Sequence, residues 1–102
     1  MHTPAIAEII DLLSQKWMMR IIWELRNDPM TFRELQKACS KLSPTVLNNR
    51  LKLLRDAEIA QKNNNSGYTL TRMGQELLEV YKPLNEWAID WQSKRQHTKT
   101  PN

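Results

Sequence analysis

The chain has 102 residues, of which 40% are hydrophobic and 25% are charged, and it carries a formal net charge of +4. This length supports one domain with a single modest core, and the composition is that of an ordinary globular protein. No apolar run approaches the roughly 18–20 residues that span a bilayer, and no signal peptide is visible, so we expect a cytoplasmic protein with no membrane partner. The single cysteine, Cys39, excludes an internal disulfide framework and a multi-cysteine zinc site.

The positive charge is concentrated in the middle of the chain. Residues 33–72 contain eight basic and three acidic residues, a net charge of +5, whereas residues 1–32 and 73–92 are net negative. Residues 93–102 add a further +3. A concentrated basic region attracts a polyanion, but basic surfaces are also common on proteins that bind no nucleic acid, so charge alone does not decide the function.

Two helices are predicted in the first third of the chain. Thr3-Pro4 is typical of a helix start, and the first helix then carries apolar residues at helical spacing, namely Ile6, Ile9, Ile10 and Leu13. The second helix runs from about Lys16 to Arg26 and is apolar on nearly every side, which indicates burial in the domain or against a partner. Asn27-Asp28-Pro29 ends it.

The next two helices form a helix-turn-helix pattern. Thr31 and Glu34 form a capping box for the third helix, and residues 40–42 form a short turn. Ser43-Pro44 opens the fourth helix, residues 43–56, whose apolar stripe is Leu47, Leu51 and Leu54. At about 100° per residue, the opposite face of this helix holds polar and basic side chains, namely Thr45, Asn48, Asn49, Lys52 and Arg55. Two short helices joined in this way, with the second basic on its outer face, are typical of a helix-turn-helix.

A hairpin is predicted directly after the fourth helix. Residues 59–62 and 68–70 are strand-like, and residues 63–67 between them are rich in turn formers. This is the layout of a winged helix. We therefore predict a mainly α fold with a small β-hairpin wing, an α+β winged helix-turn-helix.

The remaining chain is predicted to be helical as far as residue 92. Thr71 caps a helix that Pro83 kinks or restarts, and the following apolar stripe consists of Leu84, Trp87, Ala88 and Trp91. The stripe is either core or a subunit interface. We favour the interface, because the other elements already fill so small a core and tryptophan is enriched at interfaces. Residues 1–92 would then form the domain with N- and C-terminal dimerisation helices, and residues 93–102 a disordered basic tail.

Paired asparagines on the fourth helix are the main clue to function. Asparagine is a poor interior helix residue, and its amide can pair bidentately with adenine in the major groove; the alternative is a solvated helix face. The basic flanks and the helix-turn-helix spacing favour DNA reading. Arg50, at the edge of the apolar stripe, either pairs with an acidic neighbour inside the domain or reaches a phosphate. The hairpin tip, residues 62–65, either reaches a minor groove or phosphates or is simply solvated.

No residue pattern supports enzyme chemistry. Ser40 and Ser43 have no histidine nearby in the sequence, and only two glycines are present, so no phosphate-binding loop is formed. His2 and His97 lie near the termini without partners at metal-ligand spacing, and Cys39 falls on the inner face of the third helix. We predict no enzyme activity, no metal and no cofactor.

Three segments together resemble the HxlR-type transcriptional regulators, a winged helix-turn-helix group related in fold to MarR. The segments are "KWMMRIIWEL", "MTFRELQKACSKLSPTVLNNRLKLLRDAEI" and "YTLTRMGQELL", and the resemblance runs from about Leu13 to Trp87. It implies a cytoplasmic prokaryotic homodimer whose first and last helices form the interface. It also implies a recognition helix that reads a palindromic operator.

The chain departs from that family pattern at two places. Glu58 stands where the family usually has a glycine just after the recognition helix, so the helix must end in another way. Many members carry a cysteine before a proline near the N-terminus, whereas here Thr3 precedes Pro4. A thiol-sensing role therefore does not follow from the resemblance.

Two sets of site residues follow from these patterns. The predicted DNA-binding residues are Arg33, Lys41, Ser43, Thr45, Asn48, Asn49, Arg50, Lys52, Arg55, Lys62, Asn63, Asn64 and Asn65. The predicted dimer-interface residues are Ile6, Ile9, Ile10, Leu13, Tyr81, Leu84, Trp87, Ala88 and Trp91. The function predicted is a homodimeric transcriptional regulator that binds double-stranded DNA, with no effector indicated. The alternative is a winged helix that docks an acidic protein partner, but such a face should show aromatic or aliphatic anchors, which the outer face of the fourth helix lacks.

Overall fold

Five helices and one hairpin make up the part of the chain that the structure describes. This structure is a computed structural model, and the described residues are 3–64 and 67–98, with side chains described as far as Arg95. The elements in chain order are α1 (Ala5–Leu13), α2 (Met18–Glu24), α3 (Phe32–Ala38), α4 (Pro44–Asp56), β1 (Ala60–Asn63), β2 (Gly67–Leu70) and α5 (Arg72–Thr98). The predicted mainly α fold with a β-hairpin wing is confirmed.

The core lies where the apolar faces of α2, α3 and α4 meet. The stripe predicted on α4 is buried, with Leu47, Leu51 and Leu54 at most 1% exposed. The same cluster takes in residues of the neighbouring elements, among them Met18, Ile21, Ile22, Leu35, Tyr68, Leu70 and Leu78. Burial of each large aliphatic side chain contributes about 1.5–3 kcal/mol. The inner face of α4 is thus held by packing, which leaves its polar face outside.

Local hydrogen bonds set the start of α3 and the turn that follows it. The Thr31 hydroxyl accepts from the Glu34 amide at 3.1 Å, and the Glu34 carboxylate accepts from the Thr31 amide at 2.8 Å, so the predicted capping box is confirmed. After α3, Ser40 and Lys41 both have left-handed backbone, with φ of 57° and 60°. The Lys41 amide donates to the Gln36 carbonyl at 2.8 Å and satisfies a helix-end carbonyl.

The ends of α4 have equally specific geometry. At its start the Ser43 hydroxyl accepts from the Val46 amide at 3.2 Å, with Pro44 in the first turn, as predicted. At its end Glu58 is left-handed, with φ of 61°, and the Ile59 amide donates to the Leu54 carbonyl at 2.9 Å. This is the backbone arrangement that a glycine usually supplies, and a residue with a Cβ adopts it at a cost of about 1–2 kcal/mol. The prediction that α4 ends in another way is therefore wrong, because Glu58 itself adopts the left-handed conformation expected of a glycine.

The hairpin is antiparallel and is anchored to the segment before α3. Ala60 lies opposite Leu70 and Asn63 opposite Gly67, so the strands begin and end within about one residue of the predicted ranges. Met30 pairs with Tyr68 on the outer side of β2, with backbone bonds of 3.0 and 2.7 Å. A Cβ on Gly67, whose φ is +89°, would lie 2.3 Å from the Met30 carbonyl oxygen, so this contact requires glycine.

Helix boundaries differ from the sequence predictions at three places. The first helix starts one residue later, with Pro4 rather than Thr3 at its N-cap. The second is shorter than predicted, because Trp17 adopts left-handed backbone, with φ of 75°, and α2 starts only after it. Pro83 lies inside a continuous α5, so of the two predicted alternatives, a kink or a restart, the restart is wrong; proline removes one backbone donor, and the turns on both sides continue.

The C-terminal segment also differs from its prediction. Helix α5 continues to Thr98, so the disordered tail expected from Ser93 is wrong for residues 93–98, and residues 99–102 lie outside the described residues. Two side-chain contacts, each between residues one helical turn apart, support this longer helix. Lys94 pairs with Asp90 at 3.0 Å, and the Arg95 guanidinium lies 4.5 Å from the centre of the Trp91 ring.

Candidate nucleic-acid interface

The polar face of α4 is on the surface of the domain. All five side chains predicted there are exposed, namely Thr45, Asn48, Asn49, Lys52 and Arg55. Serine at the N-cap and the buried leucine stripe fix how the helix is rotated, because the cap sets its first turn and the stripe sets its inner side. The face therefore presents two amides, a hydroxyl and two cations to solvent.

A groove runs between α4 and the hairpin, and we call it the α4–hairpin groove. It has a volume of ≈ 830 Å³ and is lined on the α4 side by Asn48, Lys52 and Arg55, and on the hairpin side by Gln61 and Lys62. Three cations thus face one open, polar concavity. Sequence reasoning missed several lining residues that join the groove only when the hairpin folds back, namely Gln61, Glu58, Ala60 and Thr71.

Asp56 and Glu58, at and just after the end of α4, also line this groove and lower its net positive charge. Lys52 donates to Asp56 at 2.8 Å, and both side chains are largely exposed. Exposed pairs of this kind are worth about 0–1 kcal/mol, so Lys52 can exchange Asp56 for a stronger anion. Arg55 makes no ion pair within the described residues. The groove therefore contains Arg55, which has no ion pair to a described residue, and Lys52, one helical turn away, whose ion pair with Asp56 is weak.

The two adjacent asparagines differ in their surroundings. The side chain of Asn48 makes no hydrogen bond to any described residue and lines the α4–hairpin groove. By contrast, Asn49 does not line the groove, and its Oδ1 accepts a hydrogen bond from the Arg50 guanidinium. Arg50 also donates from Nε to the Lys16 carbonyl at 2.8 Å. The acidic neighbour predicted as one partner of Arg50 is absent among the described residues, since its guanidinium donates to two neutral oxygens instead.

The other predicted DNA-binding residues lie around α4. Arg33 is exposed on α3, and Lys41 and Ser43 are exposed at the turn before α4. On the hairpin, Asn63 is half-buried, whereas Lys62 and Asn64 are exposed. The Lys62 ammonium lies 5.7 Å from the centre of the Tyr68 ring. Asn65, also predicted as a DNA contact, lies outside the described residues.

Cys39 is shut inside the core rather than placed on a surface. Its side chain is 0% exposed. Burial raises the pKa of the Cys39 thiol, the nearby Arg20 lowers it by a smaller amount, and Glu24 raises it further. A thiol of raised pKa and no exposure has little thiolate available for reaction.

A second surface of the molecule is apolar and lies on α1 and α5. On α1, which has no buried residue, Ile6 is 68% exposed. On α5, Leu78 is the last buried side chain that the structure describes, and Tyr81, one turn further on, still packs against the core in part. Of the predicted interface residues, five are exposed, namely Ile6, Ile10, Leu84, Trp87 and Trp91, and four are half-buried, namely Ile9, Leu13, Tyr81 and Ala88. Three exposed apolar residues on α5 that the sequence prediction missed are Met73, Val80 and Ile89.

The two tryptophans of α5 form an ordered aromatic pair. Their rings stack with centroids 5.9 Å apart and planes 12° from parallel, while Trp87 is 61% and Trp91 45% exposed. Because they lie one turn apart on α5, the two rings form an apolar ridge that stays about half exposed, although the Arg95 guanidinium lies over the Trp91 ring. Within the described residues, no group of acidic, histidine or cysteine side chains could hold a metal ion, and no helix is long and apolar enough to cross a membrane.

A helix-turn-helix with a hairpin wing and a basic polar recognition helix defines the winged helix class of DNA-binding proteins. The model of the HxlR-like helix-turn-helix family matches residues 12–96. The chain belongs to this family, as its sequence predicted.

Related proteins agree with this assignment. The chain is 29% identical over 94 residues to YvaP of Bacillus subtilis (strain 168), named an uncharacterized HTH-type transcriptional regulator, covering 86% of this chain and 87% of YvaP. Its fold is similar to the crystal structure of quinone-bound YodB from B. subtilis, with a TM-score of 0.80, 30% identity, and coverage of 87% of this chain and 99% of that one. A possible HxlR family transcriptional factor from Thermoplasma volcanium GSS1 shares the fold, with a TM-score of 0.74 and 23% identity over 89% of this chain and 87% of that one. The protein is a transcriptional regulator with a DNA-binding helix-turn-helix, and its named relatives are regulators rather than enzymes.

Proposed function

We propose that the protein is a cytoplasmic homodimer that controls transcription by binding an inverted-repeat operator through α4 and the hairpin wing. The observation that carries this proposal is the division of its surface into two faces. The face of α4 is polar and basic, whereas α1 and the outer half of α5 carry exposed large apolar side chains. A polyanion complements the first face, and a second copy of the chain complements the second.

The DNA side of the proposal rests on the chemistry of the α4 face. Hydroxyl, amide and guanidinium groups are the ones that bind phosphates and base edges. The five outward residues of α4 include no aromatic or aliphatic anchor, and protein-docking surfaces depend on such anchors. Phosphate contacts would come from the surrounding cations and the turn, namely Arg33, Lys41, Ser43, Lys52, Arg55 and Lys62. The remaining wing residues, Asn63, Asn64 and Asn65, would follow the adjacent backbone or minor groove.

The dimer side rests on the helix that leaves the domain. A helix of 27 residues is about 40 Å long at 1.5 Å per residue, and among its described side chains Leu78 is the last that is fully buried and Tyr81 the last that packs against the core. A helix outside the domain gains little stability from propensity alone, so its apolar ridge needs a partner surface. Pairing α1 and α5 across a two-fold axis would cover both exposed surfaces at once.

Selection of bound fragments from a pool of random duplexes tests this function directly. A two-fold dimer places its recognition helices about 34 Å apart, or a multiple of that distance, so the enriched sequences should be inverted repeats with one- or two-turn spacing. Affinity for them should fall with salt at a log–log slope of about −0.9 per phosphate contacted. Failure to enrich any sequence, together with salt-insensitive binding to an acidic polypeptide, would favour the protein-docking alternative.

Mild oxidants are expected to leave DNA binding unchanged. YodB has been crystallised both quinone-bound and diamide-treated, whereas here Cys39 is buried with a raised pKa and an exposed threonine, Thr3, stands before Pro4. The operator mobility shift of wild type should be the same before and after diamide, peroxide or quinone. Cys39→Ser should lower the free energy of unfolding by about 1–3 kcal/mol, since it buries a hydroxyl without a partner. Oxidant release that Cys39→Ser abolishes and added thiol reverses would make Cys39 the sensor instead.

A further inference from the structure

We propose that the adjacent asparagines divide the work of recognition: Asn48 reads a base, while Asn49 and Arg50 are positioning residues that brace α4 against the α1–α2 connection. The proposal rests on the proposed DNA-binding function and assigns roles within it. It changes the expectation that Asn49 and Arg50 contact DNA directly.

The brace is made by the two arms of one guanidinium. Nε of Arg50 donates to the Lys16 carbonyl at 2.8 Å, and a terminal nitrogen of the same group donates to Oδ1 of Asn49. Lys16 is 34 residues away in sequence and directly precedes the left-handed Trp17, where the chain turns into α2. A single side chain on α4 therefore joins the recognition helix to the connection next to α1.

Asn49 is poorly arranged for reading a base. Bidentate pairing with adenine uses the amide oxygen and nitrogen together, in one plane and in one orientation. The bond from Arg50 sets the orientation of the Asn49 amide, and Asn49 does not line the α4–hairpin groove. Asn48 lines that groove, and no described residue holds its side chain. The two asparagines therefore have the same side-chain amide, but only that of Asn48 faces the groove without a hydrogen bond to a described residue, and can thus pair with a base edge.

Arg50 is likewise engaged within its own chain. It is half-buried, it does not line the groove, and two of its three guanidinium nitrogens, Nε and one terminal nitrogen, donate to neutral oxygens. A lysine at this position would keep the charge but could not make both bonds, because its ammonium is a single point on a flexible stem. Arg50→Lys therefore keeps the positive charge while removing the two hydrogen bonds of the brace, so the two contributions can be measured separately.

Operator variants with one base pair changed at a time provide the test. In wild type, the base read by Asn48 should show a preference of about 5- to 140-fold over the alternatives. Asn48→Ala should abolish the preference at that one position. Asn49→Ala and Arg50→Lys should weaken binding to all operator variants by a similar factor, at least about 3-fold, with every base preference and the salt slope kept. Asn49 and Arg50 share a hydrogen bond, so the loss of binding free energy in the double variant Asn49→Ala/Arg50→Lys should be smaller than the sum of the two single losses. The loss caused by Asn48→Ala should instead add to that of either variant.

Other outcomes would overturn the assignment in recognisable ways. Loss of one base preference in Asn49→Ala would make Asn49 a reader. Wild-type affinity in Arg50→Lys, with a salt slope shallower by about 0.9 per subunit in Arg50→Ala, would make Arg50 a phosphate contact. If the wild-type protein itself shows no preference among the variants, the proposed operator-binding function fails, and that result is distinct from failure of the division of roles.

Discussion

Trp91→Glu should convert the protein from dimers to monomers at micromolar concentration. The side chain is 45% exposed and stacks on Trp87 along the apolar ridge of α5. Covering the exposed half of a tryptophan contributes about 2 kcal/mol per protomer, and a two-fold interface contains the residue twice. The dimerisation constant should therefore weaken by about three decades, before any cost of burying the glutamate charge. Light scattering across a concentration series measures this change.

The same variant should lose operator binding although its recognition helix is intact. Two helices that bind as one unit gain an effective concentration, which commonly raises affinity by about 10²–10⁴-fold. Trp91→Glu should lose a factor of this size on the inverted repeat and much less on a single half-site. Its far-ultraviolet circular dichroism should remain helical, because Trp91 lies outside the core.

Gln92→Glu is the matched control for charge. It adds the same carboxylate one residue further along α5, at an exposed position about 100° around the helix. This variant should remain dimeric and bind the operator like wild type. A monomeric wild type, or an equal effect of both variants, would show that the ridge is not the subunit contact.

Features that depend on a few neighbouring residues were predictable from the sequence. The capping box at Thr31 and the Ser43-Pro44 start of α4 join groups three residues apart, so residue type at fixed spacing identifies them. The buried face of α4 follows from the period of its leucines. These local signals located the recognition helix and its outward face.

Features that depend on distant residues were not predictable in the same way. The bond from Arg50 to the Lys16 carbonyl crosses 34 residues, and the neighbouring Trp17 is left-handed although the sequence has no glycine or asparagine there to signal it. The α4–hairpin groove likewise exists only after the hairpin has folded back against α4, which is why Gln61 was missed. The polar composition of residues 93–98 led to the wrong prediction of disorder. Ion pairs one turn apart along a helix, such as Asp90–Lys94, stabilise a polar helix that has no core to pack against.

Asn48→Ala should selectively weaken binding to the operator. Loss of a bidentate amide–adenine contact costs about 1–3 kcal/mol, and the proposed dimer makes the contact once in each half-site. If the two losses add, operator affinity should fall by at least about 30-fold, while affinity for random duplex should change little. Competition binding with operator and random duplexes at one salt concentration measures both values. Because Asn48 is exposed and bonds to no described residue, its removal should leave the free energy of unfolding within about 0.5 kcal/mol of wild type.

Arg55→Ala provides the contrasting variant on the same helix. Arg55 lines the same groove, two turns beyond Asn48, and is a cleaner phosphate probe than Lys52 because removing Lys52 would leave Asp56 unpaired in the groove. Arg55→Ala should weaken operator and random duplex by the same factor and make the log–log salt slope shallower by about 0.9 per subunit, whereas Asn48→Ala should leave the slope unchanged. An Asn48→Ala protein that keeps the wild-type ratio of operator to random affinity would show that the groove-facing side of α4 is not the reading face. In that case the reading residues would have to be sought at Thr45 and the turn before α4, where the polar face of the helix begins.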